Sequence, residues 1–287
     1  MEASPSRTAI LAAVARGRHA LEDPAPWVLD DPIALEFVGP TWRAIAAAGD
    51  ARNSSELGRQ IRVSLALRSR YAEDRLELSD FRQYVLLGAG LDSFCWRRPE
   101  LLGPLRLFEV DHPASQAWKC ERMGELGLEP SEHQVFVPVD FEVESLDAGL
   151  GNVGFAWDQP TLFSWLGVVP YLTMNAVDTT LRTIAACGPG SEVVLEYGLT
   201  RHYLDEYGRE FESGFSPVAS RLGEPLHAGV RWSPEEAEQV VQSCGLRVED
   251  HPNREDLVGR YLAGREDGLQ PWSVTGLMTA CVSVSRM

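Results

Sequence analysis

Four positions could together cradle a nucleoside. Tyr84-Val85-Leu86-Leu87 is an apolar strand-like run that passes straight into Gly88-Ala89-Gly90-Leu91-Asp92. A second run, Leu105 to Val110, ends in Asp111, and a third, Val135 to Val139, ends in Asp140-Phe141. A buried strand, a glycine turn and an acid about 20 residues on is the layout by which a doubly wound sheet holds a nucleoside. The glycines let backbone approach the ligand, and the acid accepts hydrogen bonds from ribose hydroxyls. The third glycine of the G-x-G-x-x-G fingerprint is missing, since Ser93 stands there. A G-x-G pair also suits a plain tight turn, where glycine supplies positive φ without strain. A single Asp after a strand usually caps a helix. Two such acids beside a glycine turn favour ligand binding, and Phe141 could stack on or cover a base.

A cation joins this set. Ser54-Ser55 open a helix expected to run to about Leu78, and Leu57, Ile61, Leu65, Arg68, Ala72 and Leu76 fall on one of its faces. That face is apolar except for Arg68. A buried guanidinium needs an anion, which either a protein carboxylate or a ligand could supply. Arg70 lies off the stripe with Asp74 four residues on, as in a surface pair. Asp92-Ser93 suit the cap of the turn after the first strand, and His112 reads as a turn residue held by Pro113. The chain has no Ser-His-Asp spacing, no metal-ligand cluster and no phosphate loop ending in Lys, so no metal is expected.

The elements that must position these groups alternate. Helices fit 8–21, 32–38 and 41–48, the second opened by Asp30-Asp31-Pro32. Strands fit 83–87, 105–110, 135–139, 161–166, 192–197, about 246–249 and 277–284, with helices over 114–126, 174–187 and 233–245. Residues 199–230 do not alternate and read as an insertion covering the sheet's end. Alternation of this kind implies an α/β, doubly wound, mostly parallel sheet with helices on both faces. Ligands bind outside the carboxyl ends of its strands, where Asp111 and Asp140 stand.

The 287 residues carry 26 Lys and Arg against 42 Asp and Glu, a net charge of -16. That field repels phosphate backbones and anionic membrane surfaces, so neither is an expected partner. A small acidic ligand is not excluded, because a local arginine cluster outweighs distant screened charge. Cys95, Cys120, Cys187, Cys244 and Cys281 show no metal or disulfide spacing and suit buried or half-buried free thiols. The apolar run from Ala9 to Ala15 is interrupted by Arg16 and Arg18, which fits neither a signal peptide nor a membrane span. A cytoplasmic protein is expected.

Several stretches together resemble the leucine carboxyl methyltransferase family, including its bacterial O-methyltransferases for polyketides and other small metabolites. They are Ser6-Arg7-Thr8-Ala9, Asp31-Pro32, Leu67-Arg68-Ser69-Arg70, Leu87-Gly88-Ala89-Gly90-Leu91-Asp92-Ser93, Phe108-Glu109-Val110-Asp111-His112-Pro113, Val139-Asp140-Phe141 and Ser164-Trp165-Leu166-Gly167-Val168-Val169-Pro170-Tyr171-Leu172. The resemblance implies S-adenosylmethionine as cofactor and a seven-stranded, Rossmann-like sheet with its last strand antiparallel. It implies that Gly88 and Gly90 lie against the cofactor's amino-acid end and that Asp111 holds the ribose. Asp140 and the Phe141 backbone would take the adenine, and Arg68 the methionyl carboxylate. Arg7 matches a basic position near the N-terminus. The sequence departs from the protein-phosphatase branch at Leu166, where that branch carries a cofactor-contacting glutamate.

The expected reaction is methyl-ester formation on a carboxylate of a small molecule or peptide. A carboxylate, with a pKa of about 4, is already ionised at neutral pH and needs no general base. The alternative is methylation of a phenol or enol of a polyketide-type ring. A phenol, with a pKa of about 10, would benefit from a base, for which His202 and His227 are candidates. Arg201, Arg209, Arg221 and Arg231 could anchor an acidic acceptor, though each also suits a solvated surface, and Tyr171 and Tyr197 could line its pocket or equally be packed rings at strand ends. An amine-methylating nucleic-acid enzyme would want an acid or Asn before Pro170, where Val169 stands. An inactive nucleoside-binding sensor is a further alternative. One methyltransferase domain over 1–287 is expected: a helical cap at 1–80, a cofactor core at 81–198, a substrate-side insertion at 199–232 and the end of the sheet at 233–287. The acceptor's identity and the oligomeric state are not legible.

Overall fold

A computed structural model describes residues 6–48, 55–221 and 230–283, except for the side chains of 215–221. The N-terminal part supplies four helices: α1 (Arg7–Glu22), α2 (Ala34–Phe37), α3 (Gly39–Ala48) and α4 (Glu56–Glu77). Strand and helix then alternate: β1 (Gln83–Leu87), α5 (Phe94–Arg97), β2 (Arg106–Asp111), α6 (Pro113–Leu126), β3 (Gln134–Pro138), α7 (Leu146–Gly151), β4 (Thr161–Trp165), α8 (Met174–Ala185) and β5 (Glu192–Leu199). The chain continues through α9 (Glu206–Arg221), β6 (Arg231–Trp232), α10 (Pro234–Ser243), β7 (Leu246–Asp250), α11 (Arg254–Tyr261) and β8 (Thr275–Val282).

The strands form one sheet in the order β3-β2-β1-β4-β5-β8-β7, with the two-residue β6 added beside β5. It is parallel except for β8, which runs antiparallel between β5 and β7. The seven expected strands are all present, and β6 is an eighth that the sequence pattern did not flag. Register does the positioning. Leu87 pairs with Val110, so Gly88 and Asp111 leave the sheet side by side. Asp111 pairs with Pro138, so Asp140 follows just beyond. The order reverses between β1 and β4, and such a switch point opens a crevice at the carboxyl ends of the strands.

Both sheet faces are apolar, as a covered parallel sheet requires. One core holds Val85, Phe108, Phe163, Trp165 and Leu195. The other holds Tyr84, Leu86, Leu107, Leu162 and Val194 against α4. The expected stripe on α4 is only half of its buried surface. Val63, Ala66, Leu67 and Tyr71 are buried beside Leu65, Ala72 and Leu76, because α1 packs along the same helix. Ser55 caps α4, accepting from Gly58 N–H; Ser54 lies outside the described residues.

Buried ion pairs tie the N-terminal helices to the sheet. Arg16 of α1 donates from Nε to Asp31 at 2.9 Å and from Nη2 to the Leu91 carbonyl at 2.7 Å. Asp31 was expected to cap a helix. It does accept from Ala34 N–H, but it also takes the Ser93 hydroxyl at 2.7 Å. A second latch joins α1 to α4: Arg62 donates twice to Asp23, and His19 faces the same carboxylate at 2.9 Å. Burial pushes the Asp23 carboxyl up, but hydrogen bonds from His19 and Arg62, with the Arg62 charge, outweigh it and hold its pKa at about 2.

The insertion expected over 199–230 contains a full helix, α9, in a stretch read as non-alternating. Ser233 forms a reciprocal capping box with Glu236 at the start of α10. All five cysteines are free, and Cys120 is exposed rather than buried. No described helix is long and apolar enough to cross a membrane.

Candidate functional site

A cavity of about 730 Å³ lies over the carboxyl ends of β1, β2, β4 and β5, within the range of small-molecule sites. Gly88, Ala89, Gly90, Asp92, Asp111, His112, Asp140 and Phe141 line one end, and Ser6, Arg7, Ala9, Leu11 and Arg16 of the α1 region line it from above. Both glycines are needed where they stand. Gly88 has φ 71°, and a Cβ there would sit 2.2 Å from the Val168 Cγ2; Gly90 has φ 51° and meets the Ala9 Cβ at 3.0 Å. The expected third glycine is unnecessary because Ser93 is buried and turned inward to Asp31. Asp92 accepts from Phe94 N–H at 2.7 Å, the capping role read from its position.

Asp111 closes the glycine turn. Its Oδ2 accepts from Gly90 N–H, and its Oδ1 from His112 N–H at 2.7 Å. Burial pushes the Asp111 carboxyl up, and the two N–H donors offset part of that. His112, read from the sequence as a turn residue, caps α6, its Nδ1 accepting from Ala114 N–H. That bond leaves Nε2 as the protonated ring nitrogen of neutral His112, and Nε2 lies 3.7 Å from Asp140. The other Asp140 oxygen accepts from Glu142 N–H at 3.0 Å. Phe141 is half-buried in the wall.

The opposite end is lined by Arg68, Leu166, Pro170, Tyr171, Glu196, Phe211, Arg231, Trp272 and Thr275. The anion that Arg68 required is present in the protein. Its Nη1 donates to Glu196 Oε2 at 2.6 Å, while Thr275 donates to Glu196 Oε1 at 2.8 Å. The guanidinium lies over Gly167, where a Cβ would sit 2.7 Å from Nη1. Arg70 pairs with Asp74 at 2.5 Å on the surface. Arg231 pairs with Glu212 of α9 at 2.5 Å. A Cβ on Gly198 would lie 3.4 Å from its Cγ and 3.8 Å from Pro170 Cγ, so the Arg231 stem passes beside the turn after β4.

Other sequence candidates lie elsewhere. Tyr197 is not a cavity residue. Its ring is buried on the far face of β5 against Trp232, and its hydroxyl bonds His251 at 2.8 Å. Strand alternation explains this, since Glu196 faces α4 and its neighbour must point away. His202 sits exposed on a 3-10 turn outside the lining. Arg201 is exposed, and Arg209 donates to the Leu204 carbonyl; neither lines the cavity. His227 and the Arg221 side chain fall outside the description.

Glu196 is one of the cavity residues that sequence reasoning missed, with Phe211, Trp272 and Thr275. An acid inside Val193-Val194-Leu195-Glu196-Tyr197 raises the same question as Arg68 on its stripe, and the two are each other's answer. Trp165 pairs with Leu195, so Leu166 and Glu196 occupy the following positions of adjacent strands.

These residues fit an adenosine carrying a charged amino-acid arm. The glycine turn admits close backbone approach, a carboxylate stands at the end of β2 beside it, and an arginine–carboxylate pair lines the far side. The family description "Leucine carboxyl methyltransferase" matches residues 9–185. The chain is 28% identical over 288 residues to the Bacillus subtilis (strain 168) protein YktD, named as an S-adenosyl-L-methionine-dependent methyltransferase, covering 92% of this chain and 93% of that one. A Mycobacterium marinum (strain ATCC BAA-535 / M) protein with the same methyltransferase name is 31% identical over 207 residues, covering 69% and 67%. Among solved structures, a Streptomyces avermitilis protein of the duf574 family aligns with TM-score 0.58 at 15% identity, covering 93% of this chain and 96% of that one. A Thermobifida fusca YX structure described as a methyltransferase aligns equally well, covering 94% of each at 15% identity. The two solved structures share the fold. The chain belongs to the leucine carboxyl methyltransferase family and is an S-adenosylmethionine-dependent methyltransferase.

Proposed function

We propose that this methyltransferase acts on oxygen, forming a methyl ester on the carboxylate of a small-molecule or peptide acceptor. The observation that carries the reading is Arg231, set in the cavity wall beside Pro170 and backed by Glu212. An arginine fork there can receive one carboxylate and align it. Gly88, Gly90, Asp111, Asp140, Phe141, Arg68 and Arg7 are the residues that would hold the cofactor, all lining the same cavity. When bound, the cofactor supplies an electrophilic methyl group on a sulfonium.

The protein's part is placement. Asp111 accepts from the ribose hydroxyls, and Gly88 and Gly90 allow backbone contact. Arg231 orients the acceptor oxygen, while Phe211 and Trp272, with ring centroids 4.9 Å apart, exclude water from the acceptor end. A carboxylate is ionised at neutral pH, so no side chain must remove a proton, and orientation with desolvation carries the rate. Incubation with methyl-tritiated cofactor and a panel of carboxylic acids tests this. The expected product releases volatile tritiated methanol in mild alkali, and Arg231→Ala raises KM for the acid about tenfold or more, the worth of one charge-assisted contact. Label that survives alkali would contradict ester formation.

A further inference from the structure

Three consecutive residues at the end of the glycine turn are held by buried side chains from elsewhere in the chain. Arg16 of α1 donates to the Leu91 carbonyl at 2.7 Å, Lys119 of α6 donates to the Asp92 carbonyl at 2.7 Å, and Asp31 accepts from the Ser93 hydroxyl at 2.7 Å. Lys119 does not line the cavity and is 1% exposed. Its ammonium pairs with Glu109 of β2 at 2.5 Å, and Glu109 in turn accepts from Gln134 of β3 at 2.7 Å. The ring centroids of Phe37 and Trp96 lie 5.9 and 5.6 Å from the same nitrogen. Stability alone does not account for this arrangement, because a buried ion pair is often no better than well-packed apolar residues of similar volume. An apolar pair could not donate to the Asp92 carbonyl.

We propose that Lys119 is a positioning residue for cofactor binding: together with Arg16 it pre-sets the turn from Gly88 to Asp92 by holding its last two carbonyls. This rests on the cofactor placement proposed above. Glycine loses more conformational freedom on ordering than any other residue, and this turn contains two. Unless the protein orders the turn beforehand, the cofactor must do so, which weakens its binding. Backbone bonds fix the near side of the turn. Gly88 and Ala89 N–H donate to the Val110 carbonyl, and Asp92 N–H donates to the Ala89 carbonyl. The Leu91 and Asp92 carbonyls reach instead to α1 and α6. Hydrogen bonds from charged donors are roughly twice as strong as neutral ones, so two cations steady the side that no strand supports. Lys119 commits one N–H to Asp92 and another to Glu109. Glu109 belongs to β2, the strand that ends in Asp111. The turn and the carboxylate beside it are thus referenced to one strand.

Calorimetric titration with S-adenosylhomocysteine, together with hydrogen exchange of the amides over 88–93, tests the role. The double variant Lys119→Met with Glu109→Gln removes the donor without leaving a buried charge unpaired, and its amide at 109 can still accept from Gln134. It is expected to weaken S-adenosylhomocysteine about tenfold and to speed exchange over 88–93, with protection restored at saturating ligand. The control, Arg75→Met with Glu192→Gln, removes a buried-edge ion pair at the start of β5, away from the cavity lining. It is expected to lower Tm, with affinity within twofold of wild type and exchange over 88–93 unchanged. Wild-type affinity in the Lys119 double variant, whatever its Tm, overturns the proposal, since Lys119 then only packs α6. Equal weakening in the control overturns it too, because that reports general loosening. Gly88→Ala separates these outcomes from a failed placement. If Gly88→Ala loses affinity while the Lys119 double variant keeps it, the placement stands and the positioning role falls. If Gly88→Ala binds like wild type, the cofactor is not seated on the turn and both fall.

Discussion

Gly88 carries two constraints at one atom. Its φ of 71° is open to glycine, and the missing Cβ is the space that Val168 fills. Gly88→Ala costs about 1–2 kcal/mol for the left-handed conformation alone, and the Val168 contact adds to it. A fall in Tm with loss of measurable S-adenosylhomocysteine binding is expected; unchanged binding would contradict a cofactor seated on this turn. That Gly88, Asp111 and Asp140 converge on one cavity edge was legible because it depends on sequence spacing along strands that must be parallel. Glu196 was not, because its partner Arg68 lies 128 residues away and no local pattern joins them. Tyr197, open between a pocket wall and a packed ring, is the packed ring for the complementary reason. Once Glu196 is known to face α4, alternation alone sends Tyr197 to the opposite face.

Among the elements, the α1–α4 latch decides whether the cavity has a roof. Val28 N–H donates to His19 Nε2 at 3.0 Å, so His19 in its neutral form carries its proton on Nδ1 and offers it to Asp23. Asp23→Asn leaves the Arg62 guanidinium buried without its main counter-charge and is expected to cost about 3 kcal/mol, by analogy with other broken buried pairs. Thermal or urea unfolding measures it. The Asp23 carboxyl has its folded pKa lowered to about 2, below the usual 3.8. The stabilisation is therefore complete above about pH 4 and lost as pH falls toward 2. Wild-type stability should drop over that interval more steeply than that of Asp23→Asn, and parallel curves would remove Asp23 from the latch. Helix α4 was legible as an element, but only one of its two buried faces was, since the period of an apolar stripe does not reveal a second helix packed behind it. Helix α9 escaped notice although Tyr207, Phe211, Phe215 and Val218 recur at helical spacing, because Gly208, Gly214 and Pro217 punctuate the run as turn residues do.

Over the whole molecule, charge is distributed against the average. The chain carries -16, yet the cavity lining has four arginines, Arg7, Arg16, Arg68 and Arg231, against four acids, Asp92, Asp111, Asp140 and Glu196. Such a locally balanced cavity can receive an anion that the outer surface repels. The sheet order explains why these groups meet. Reversal between β1 and β4 opens the crevice, the parallel register lines up the acids at its edge, and the N-terminal helices close it from above. Alternation of strands and helices was enough to anticipate that architecture; the arrangement of the cavity's other end was not legible, because it is assembled from α4, β5, α9 and the segment before β8. On the reading proposed above, this crevice holds the cofactor with Asp111 at the ribose and Asp140 at the adenine. A crystal structure of the protein with S-adenosylhomocysteine is the decisive measurement. Ribose hydroxyls within hydrogen-bond distance of Asp111, with the adenine amine on Asp140, is the expected result. The nucleoside bound elsewhere, or with its ribose turned away from Asp111, would contradict it.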